Sequence, residues 1–457
     1  MADSAAPAIR TSLTAEALGA IAGRLRPANA ALARRYPGDS GRRQPVHTVY
    51  AGAHLFTADS ARAYGRAALQ ALEEYAPDWH DLVAATGMTE WSVAERVYER
   101  VVEKLRREPV EDFRLDYEDG YGVRGDAEED SHAAAGAAEV ARAMHEGTLP
   151  PFVGIRVKSL NDELYARSLR TLDIFVTTLL GEAGELPEGL LLTLPKVSTA
   201  EQAAAFAEAL DRLEARLRLA AGTLRFEAMV ETPQLVVDAS GRSILPALVD
   251  AARGRLVGAH FGTYDYTASL SITAAYQRMR HPACDFARHV MQVSLAGTGV
   301  WLSDGSTAVI PVAPHRPQGS AALTARDEEE NRAAVHRAWR MHYEDVRHSL
   351  ESGFYQGWDL HPAQLVTRYA ALYAFFLGGL GAQGERLRSF VARASQATVV
   401  GELFDDAATG QAMLNFFLRA MNSGALSEQE AVEMTGLTRE ELRGRSFAQV
   451  LRNRRGT

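Results

Sequence analysis

Cysteine is almost absent from this sequence of 457 residues, which contains Cys284 alone. A single cysteine cannot form a disulfide within the chain, and the paired-cysteine motifs that bind structural zinc are missing. A chain of this composition fits a reducing compartment, so we expect a cytoplasmic protein. Cys284 lies in the segment HPACDF and is interpreted as an ordinary small core residue.

Long apolar segments are missing as well. The first residues, MADSAAPAIRTSLTAEALG, lack a basic segment followed by an apolar one, and no run of 18 apolar residues appears later. The sequence therefore predicts neither a secretory signal nor a membrane span.

Positive charge is not concentrated anywhere in the chain. The net charge of −9 is spread along the sequence, without a basic stripe or an aromatic-rich basic patch. This pattern excludes nucleic acid as an expected partner. An acidic small-molecule substrate would need positive charge supplied locally.

The sequence does contain short apolar strands that alternate with helical patterns. Leu18, Ile21 and Leu25 recur at helical spacing behind Thr14, a residue type that caps helices, and Pro27 is expected to end this first helix. Eight apolar runs then follow, most of them separated by helical patterns: VHTVYAGAHL, FRLDYE, FVGIRVKSL, LLLTLPKV, LRFEAMVETP, RLVGAHFG, TGVWLSDGS and GFYQGWDLHP. Eight such units predict a (β/α)₈ barrel. We expect a helical extension at residues 1–45, the barrel at 46–382 and a helical lid or oligomerisation segment at 383–457.

Charged side chains follow most of the predicted strands. Because the carboxyl ends of barrel strands meet at one face, where the active sites of this fold lie, these charges are expected to converge. They are Glu118 and Asp119 after strand two, Arg156 and Lys158 on strand three, Lys196 after strand four, Glu231 after strand five, Asp265 after strand six and His361 after strand eight.

The motifs LDYEDGYG, GIRVKSL, LTLPKV, MVETPQ, FGTYDYT and GWDLHPAQL occur in this order between about Val46 and Tyr373. Together they resemble a divergent member of the citrate lyase beta-subunit, malyl-CoA lyase and 2-oxo-acid aldolase superfamily, whose barrels bind a divalent metal. The resemblance implies that Glu231 and Asp265 are metal ligands, and carboxylate oxygens suit Mg²⁺ or Mn²⁺. The alternative is that Glu231 caps a turn and Asp265 is an ordinary loop acid.

The resemblance also implies roles for the other charges. Arg156 corresponds to an arginine that grips the substrate carboxylate, the alternative being a structural ion pair with Glu118 or Glu227. Glu118 and Asp119 would orient Arg156 and Lys196 or hold metal-bound waters. Lys196 would support the acids or contact substrate, and Lys158 either lies near the site or faces solvent.

Other residues near the strand ends have structural interpretations. Asp116 is interpreted as pairing with a core cation such as Arg114 or Arg225. His361 is interpreted as a support beneath the site, whereas His54 and His260 can be read either as acid–base groups or as hydrogen-bonded structural histidines. The long segment after strand seven places His315, Arg316 and Arg326 either in a cover over the substrate or in a solvated loop.

A weaker likeness continues into VVGELFDDAATGQAM. Relatives use the equivalent of LFDD to close over the site of a neighbouring subunit, which implies a homo-oligomer with Asp405 or Asp406 in a lid. The alternative is that these aspartates are ordinary acids at the start of a helix.

The resemblance therefore implies a divalent-metal-dependent carbon–carbon lyase or aldolase that acts on a small anionic 2-oxo or 2-hydroxy acid through a metal-stabilised enolate. One alternative is a CoA-thioester enzyme of the citrate lyase, malyl-CoA lyase or malate synthase type. Strand one lacks the Arg-Ser and Pro-Gly features usual in those members, which argues against CoA as a ligand. A second alternative is a barrel that binds a partner without catalysis.

Overall fold

Eight parallel strands close into a barrel in chain order. A computed structural model of the chain describes residues 11–317, 322–392, 398–400, 403–405 and 407–455. The barrel strands are β1 (His47–Gly52), β2 (Asp112–Asp116), β3 (Phe152–Arg156), β4 (Leu190–Leu194), β5 (Phe226–Val230), β6 (Leu256–Phe261), β7 (Trp301–Ser306) and β8 (Gln356–Asp359). The predicted (β/α)₈ barrel is confirmed.

Helices surround the barrel and extend from both ends of the chain. They are α1 (Ala15–Arg35), α2 (Ser60–Tyr75), α3 (Trp79–Thr86), α4 (Ala94–Arg107), α5 (Asp126–Glu146), α6 (Tyr165–Ala183), α7 (Ala200–Leu217), α8 (Pro233–Val236), α9 (Leu245–Ala251), α10 (Thr263–Ser269), α11 (Pro282–Leu295), α12 (Ala325–Glu351), α13 (Gln364–Ala392), α14 (Ala407–Asn422), α15 (Glu428–Thr435), α16 (Arg439–Gly444) and α17 (Phe447–Arg455). Between α13 and α14, β9 (Thr398–Val400) and β10 (Leu403–Asp405) pair in antiparallel fashion.

Successive residues of each barrel strand point to opposite faces, and this period of two separates an apolar outer layer from a polar interior. Leu115 of β2 faces α5, where the small residue Gly136 leaves room for its side chain. Phe226 of β5 packs edge to face against Phe206 of α7, with ring centroids 5.2 Å apart. The outward residues therefore form the main hydrophobic core between the strands and the helices.

The barrel interior contains a buried charge network instead of a purely apolar filling. Arg114 donates to Asp112 at 2.7 Å and to Glu227 at 2.8 Å, and Glu227 lies 3.0 Å from the His260 ring. Burial alone would raise the pKa of Glu227, but His260 and Arg114 lower it to about 2. Gly154 of β3 makes room for this network, because a Cβ there would lie 3.1 Å from the Arg114 guanidinium.

Helix α13 follows β8 and is the one helix in the described part of the chain that is long and apolar enough to span a membrane by composition. Most of it is buried, with 72% of its apolar window inside the protein, which is the pattern of a core helix. The predicted boundary between residues 382 and 383 falls inside this helix, and the division of the chain into three segments stays a prediction.

The first helix is longer than expected. Thr14 caps it as predicted, with its hydroxyl accepting from the Ala17 amide at 3.1 Å, but Pro27 lies inside the helix and does not end it. Proline removes one backbone hydrogen bond, yet the alanines, leucines and arginines on either side favour the helix strongly enough for it to continue to Arg35. At the other end of the chain, Arg419 and Asn422 of α14 bond Gln44, just before β1, so this helix ends at the amino-terminal face of the barrel.

Candidate active site

The charged residues predicted from the strand ends lie together at the carboxyl-terminal face of the barrel, here called the mouth. Glu118 and Asp119 follow β2, Arg156 ends β3, Lys196 and Glu231 follow β4 and β5, and Asp265 lies in the first turn of α10. Hydrogen bonds and ion pairs connect all six residues into one cluster.

Arg156 is held in one orientation from the side and from below. Asp116 accepts from its Nε at 2.7 Å and from its Nη2 at 2.6 Å, a bidentate pair. The guanidinium also lies over the rings of Tyr50 and Trp358, at 5.0 and 5.9 Å from their centroids. Its remaining nitrogen, Nη1, lies 3.3 Å from Glu118 Oε2, so only this edge faces the acids of the mouth.

The partner predicted for Asp116 is wrong, because Asp116 binds Arg156 instead of a cation such as Arg114. The two residues are paired in the register of β2 and β3 and point inward at the same level. Arg114 lies two residues below Asp116 on the same face, where it binds Asp112 and Glu227. The two arginines therefore lie in adjacent layers of the barrel interior.

Lys196 links the acids of the mouth. Its Nζ lies 3.0 Å from Glu118, 3.1 Å from Asp119 and 3.2 Å from Asp265. Its backbone has a left-handed conformation, with φ of 50°, and its amide donates to Glu231 Oε1 at 2.6 Å. Burial alone would lower the pKa of Lys196, but Glu231 and Glu118 raise it above the ordinary value. The side chain is therefore a permanent cation.

Glu231 and Asp265 have the chemistry of a divalent-cation site. Glu231 is buried, and burial raises its pKa to about 8, with Asp265 and Glu118 adding to the rise against Lys196 and Arg156. A Cβ on Gly262 would lie 2.5 Å from Glu231 Oε2, so only glycine at this position lets the Glu231 side chain pack where it does. No group of three or more His, Cys, Asp or Glu side chains fit to hold a metal occurs in the described ranges. Glu231 and Asp265 nevertheless offer the carboxylate oxygens that a hard cation such as Mg²⁺ prefers, and such a cation takes its remaining oxygens from water and substrate.

Glu118 and Asp119 are adjacent acids with different environments. The Glu118 side chain is 8% exposed, and burial raises its pKa to about 6, with Asp119 adding to the rise. The Asp119 side chain is 55% exposed. Burial alone would raise the pKa of Asp119, but Arg156, Glu118 and Lys196 together lower it below the ordinary value. Of the two acids, Glu118 therefore takes up a proton more readily than Asp119.

Comparison with known proteins agrees with this architecture. A family model described as domain of unknown function (DUF6986) matches residues 25–450. The chain belongs to this family. A search of curated proteins found no match.

Two solved structures are similar to this DUF6986 chain. A citrate lyase from Burkholderia xenovorans LB400 is similar at 18% identity and a TM-score of 0.55, over 86% of this chain and 96% of that one. A Haloferax volcanii malate synthase in a magnesium and glyoxylate complex is similar at 15% identity and a TM-score of 0.48, over 90% and 97% of the two chains. At such low identity the likeness to the citrate lyase shows the fold alone.

Lys158 lies beside the mouth of the DUF6986 barrel, not within it. Its Nζ donates to the Tyr117 carbonyl at 2.5 Å and lies 2.8 Å from Glu129. It lines a cavity of about 680 Å³ between the loops that follow β2 and β3, and Glu118 and Asp119 also line this cavity.

The histidines divide between structural positions and the rim. His260 lies inside the barrel, where it accepts from Trp358 Nε1 at 3.1 Å. His361 accepts from the Ala363 amide at 3.2 Å, within the turn between β8 and α13. His54 is exposed after β1, and slight burial together with Arg124 and His132 lowers its pKa. The contacts of His260 and His361 are those of structural residues.

The loop after β7 is tied to α12. His315 bonds Glu330 of α12 at 2.7 Å, and Arg326, itself in the first turn of α12, bonds the same glutamate at 2.9 Å. These contacts favour the interpretation as a structured surface over that as a substrate cover. Asp406 lies outside the described residues, and Asp405 is described only as the last residue of β10. The predicted lid stays a prediction.

Sequence reasoning missed Tyr50 and Trp358, the two rings beneath Arg156. Both point inward near the ends of their strands. The alternation within VHTVYAG could have indicated Tyr50, because it shares a face with Thr48 and lies two residues before the end of β1.

Proposed function

We propose that this protein is a divalent-metal-dependent carbon–carbon lyase or aldolase that acts on a small 2-oxo or 2-hydroxy acid through an enolate. One observation carries the proposal. A buried carboxylate, Glu231, accepts a hydrogen bond from the backbone amide of Lys196, whose ammonium lies within 3.2 Å of three further carboxylates. This cluster lies at the face where barrel enzymes place their chemistry. The name of the citrate lyase that shares the fold supports this reaction class.

Glu231 and Asp265 would hold the cation. A bound Mg²⁺ or Mn²⁺ would act as a Lewis acid that stabilises negative charge developing on a substrate oxygen. Two protein ligands leave positions open for the carboxylate and 2-oxo oxygens of such a substrate.

Arg156 supplies a preorganised positive charge for the substrate. Because Asp116 holds two of its nitrogens and two aromatic rings lie beneath it, the guanidinium does not reorient when substrate binds. Fixed charges of this kind stabilise a transition state more effectively than mobile ones. The Nη1 edge is the part of Arg156 that would contact the substrate carboxylate.

Asp119 and Glu118 would move the proton. Asp119 is the more exposed of the two, and its lowered pKa keeps its carboxylate ionised. The ionised carboxylate can accept a proton from the carbon next to the 2-oxo group. Glu118, whose pKa burial raises to about 6, lies next to Asp119 in the chain and would relay that proton. Lys196 keeps both acids in place, and its raised pKa is unsuited to a Schiff base, which requires a neutral amine.

Proton–deuterium exchange at the methyl group of pyruvate, followed by NMR, tests the proposal. We expect exchange with Mg²⁺ or Mn²⁺ and none with chelator, because the methyl proton leaves only when the enolate is stabilised. Acetyl-CoA is run in parallel. Exchange confined to acetyl-CoA would favour a thioester enzyme, and exchange of neither compound would favour a binding barrel. A homo-oligomeric assembly and a cytoplasmic location stay predictions.

A further inference from the structure

The cavity beside the mouth is well placed to hold a second substrate. Its volume of about 680 Å³ lies within the range of small-molecule pockets. Glu118 and Asp119 belong both to the mouth and to the cavity wall. A 2-oxo acid bound at Arg156 and Glu231 would therefore react with a second compound that lies in this cavity.

The cavity wall carries cations, but each already has a carboxylate partner. Lys158 pairs with Glu129 at 2.8 Å, and Arg124 pairs with Glu128 at 2.5 Å. Asp130 binds two further wall residues, Arg167 at 2.5 Å and Arg170 at 2.6 Å. Among the residues that the structure describes, the wall offers no cation that lacks such a partner.

Negative charge is in excess around this space. Five carboxylates, among them the exposed Glu163, line the cavity against four cations. The remaining surface includes the side chains of Val123, Leu164 and Ala166. In the mouth itself, the carboxylate of the 2-oxo acid would take the Nη1 edge of Arg156, and acids already compensate Lys196. A second anionic group would therefore be repelled and would find no free cation.

We propose that the acceptor substrate is an aldehyde that is uncharged or positively charged, and that it carries no carboxylate or phosphate group. This inference rests on the proposed function. In the synthetic direction the bond forms between the pyruvate methyl carbon and the aldehyde carbonyl carbon. The methyl proton leaves to the base, and the aldehyde oxygen takes the carbonyl electron pair and then a proton. Cleavage is the reverse, and neither direction needs an oxidant or a reductant.

The test compares matched acceptors with pyruvate and Mg²⁺. Glycolaldehyde and glyoxylate differ by a hydroxymethyl against a carboxylate, and butanal and succinic semialdehyde form a longer pair. We expect kcat/KM to be at least about tenfold higher for the uncharged member of each pair, as repulsion by one or two nearby charges requires. Equal or better use of the anionic members would overturn the inference.

Two charge-reversing variants test whether the cavity wall causes the preference for uncharged acceptors. Glu163→Lys changes the cavity wall and should improve the anionic acceptors relative to the uncharged ones by about fivefold, a shift expected for partly screened charges. Glu182→Lys makes the same change at the far end of α6 and should leave the ratio unchanged. Equal effects of the two variants would contradict a role for the cavity.

Pyruvate exchange tests the proposed function separately from the acceptor inference, because exchange requires no acceptor. If exchange occurs but the anionic aldehydes are preferred, the acceptor inference alone is wrong. If the wild type shows no metal-dependent exchange, the proposed function fails, and the acceptor inference fails with it.

Discussion

Asp116 determines how Arg156 is oriented at the mouth. Each of its oxygens accepts two hydrogen bonds, Oδ1 from the Glu118 amide and Arg156 Nε, and Oδ2 from the Gly120 amide and Arg156 Nη2. One carboxylate therefore fixes both the guanidinium and the turn that carries Glu118 and Asp119. Its own oxygens are saturated, so Asp116 acts by positioning other groups.

Asp116→Asn tests this positioning. The amide cannot accept all four bonds, and it leaves a buried guanidinium without its counter-charge, which typically costs about 3–5 kcal/mol. We expect a lower free energy of unfolding in urea and a loss of pyruvate exchange of about 100-fold or more, as misplacement of a catalytic group produces. As a control, Glu208→Gln removes an exposed ion pair with Arg212 and should change neither quantity. Normal exchange in Asp116→Asn would refute the positioning role.

At this scale the sequence predicted which residues meet but not how they pair. Arg156, Lys196, Glu231 and Asp265 follow successive strands, so a barrel brings them together whatever its details. The bond between Asp116 and Arg156 depends on the register of β2 against β3, which the sequence alone does not specify. Contacts of this type require the backbone positions.

Among the structural elements, the contact between β3 and β4 depends on one glycine. A Cβ on Gly154 would lie 1.6 Å from the Leu191 carbonyl oxygen, inside any permitted contact distance. We expect Gly154→Ala to lower the free energy of unfolding in urea by more than about 3 kcal/mol, because strand backbones must separate to relieve the overlap.

Gly181→Ala is the matched control for that substitution. Gly181 lies within α6, and nothing lies within 4 Å of the position that its Cβ would take. Alanine is favoured over glycine inside a helix, so this variant should gain up to about 1 kcal/mol in stability. If Gly154→Ala changes the free energy of unfolding no more than Gly181→Ala does, the close contact between β3 and β4 at Gly154 is contradicted.

A buried histidine joins β8, α12 and α13 and should make their packing sensitive to acid. His342 bonds Thr367 at 2.7 Å and Asp359 at 3.0 Å. Burial lowers the pKa of His342, although Asp359 opposes this effect. Below about pH 6.5 the unfolded chain takes up a proton that the folded protein excludes, so stability is present above this pH and is lost as the pH falls.

Thermal unfolding between pH 7 and pH 5.5 checks this expectation. The wild-type midpoint should fall with acidification, and His342→Gln, which can still bond Thr367 and Asp359, should show a smaller fall. The contribution of one proton is at most about 1.4 kcal/mol per pH unit. An equal pH dependence in the two proteins would show that His342 does not supply it.

The elements themselves were largely predictable, and the exceptions have physical causes. Each barrel strand coincides with an apolar run in the sequence, because the outward face must pack against helices. The polar interior was not predicted, because Arg114, Glu227 and His260 lie on three separate strands and meet only after closure. Pro27 was misleading because neighbouring helix-forming residues outweigh a single lost hydrogen bond.

In the whole molecule, the contacts that stabilise the barrel and the residues of the proposed chemistry lie in different places, as is typical of this fold. Buried networks and the amino-terminal face hold the barrel together, whereas the acids and cations of the mouth lie on the loops that follow the strands. The alternation of apolar runs and helices was enough to predict the barrel, and the charges after the strands were enough to predict that these residues meet at the mouth. The acceptor cavity was not predicted, because its wall combines loops that are about 40 residues apart in sequence.

The central claim is that a divalent cation held by Glu231 meets a 2-oxo acid in the mouth. Paramagnetic relaxation of the pyruvate methyl protons by Mn²⁺, measured by NMR with wild type and Glu231→Gln, tests it most directly. We predict strong relaxation only when protein, Mn²⁺ and pyruvate are all present, and its loss in the variant. Relaxation that is absent in the wild type, or unchanged in Glu231→Gln, would contradict the account.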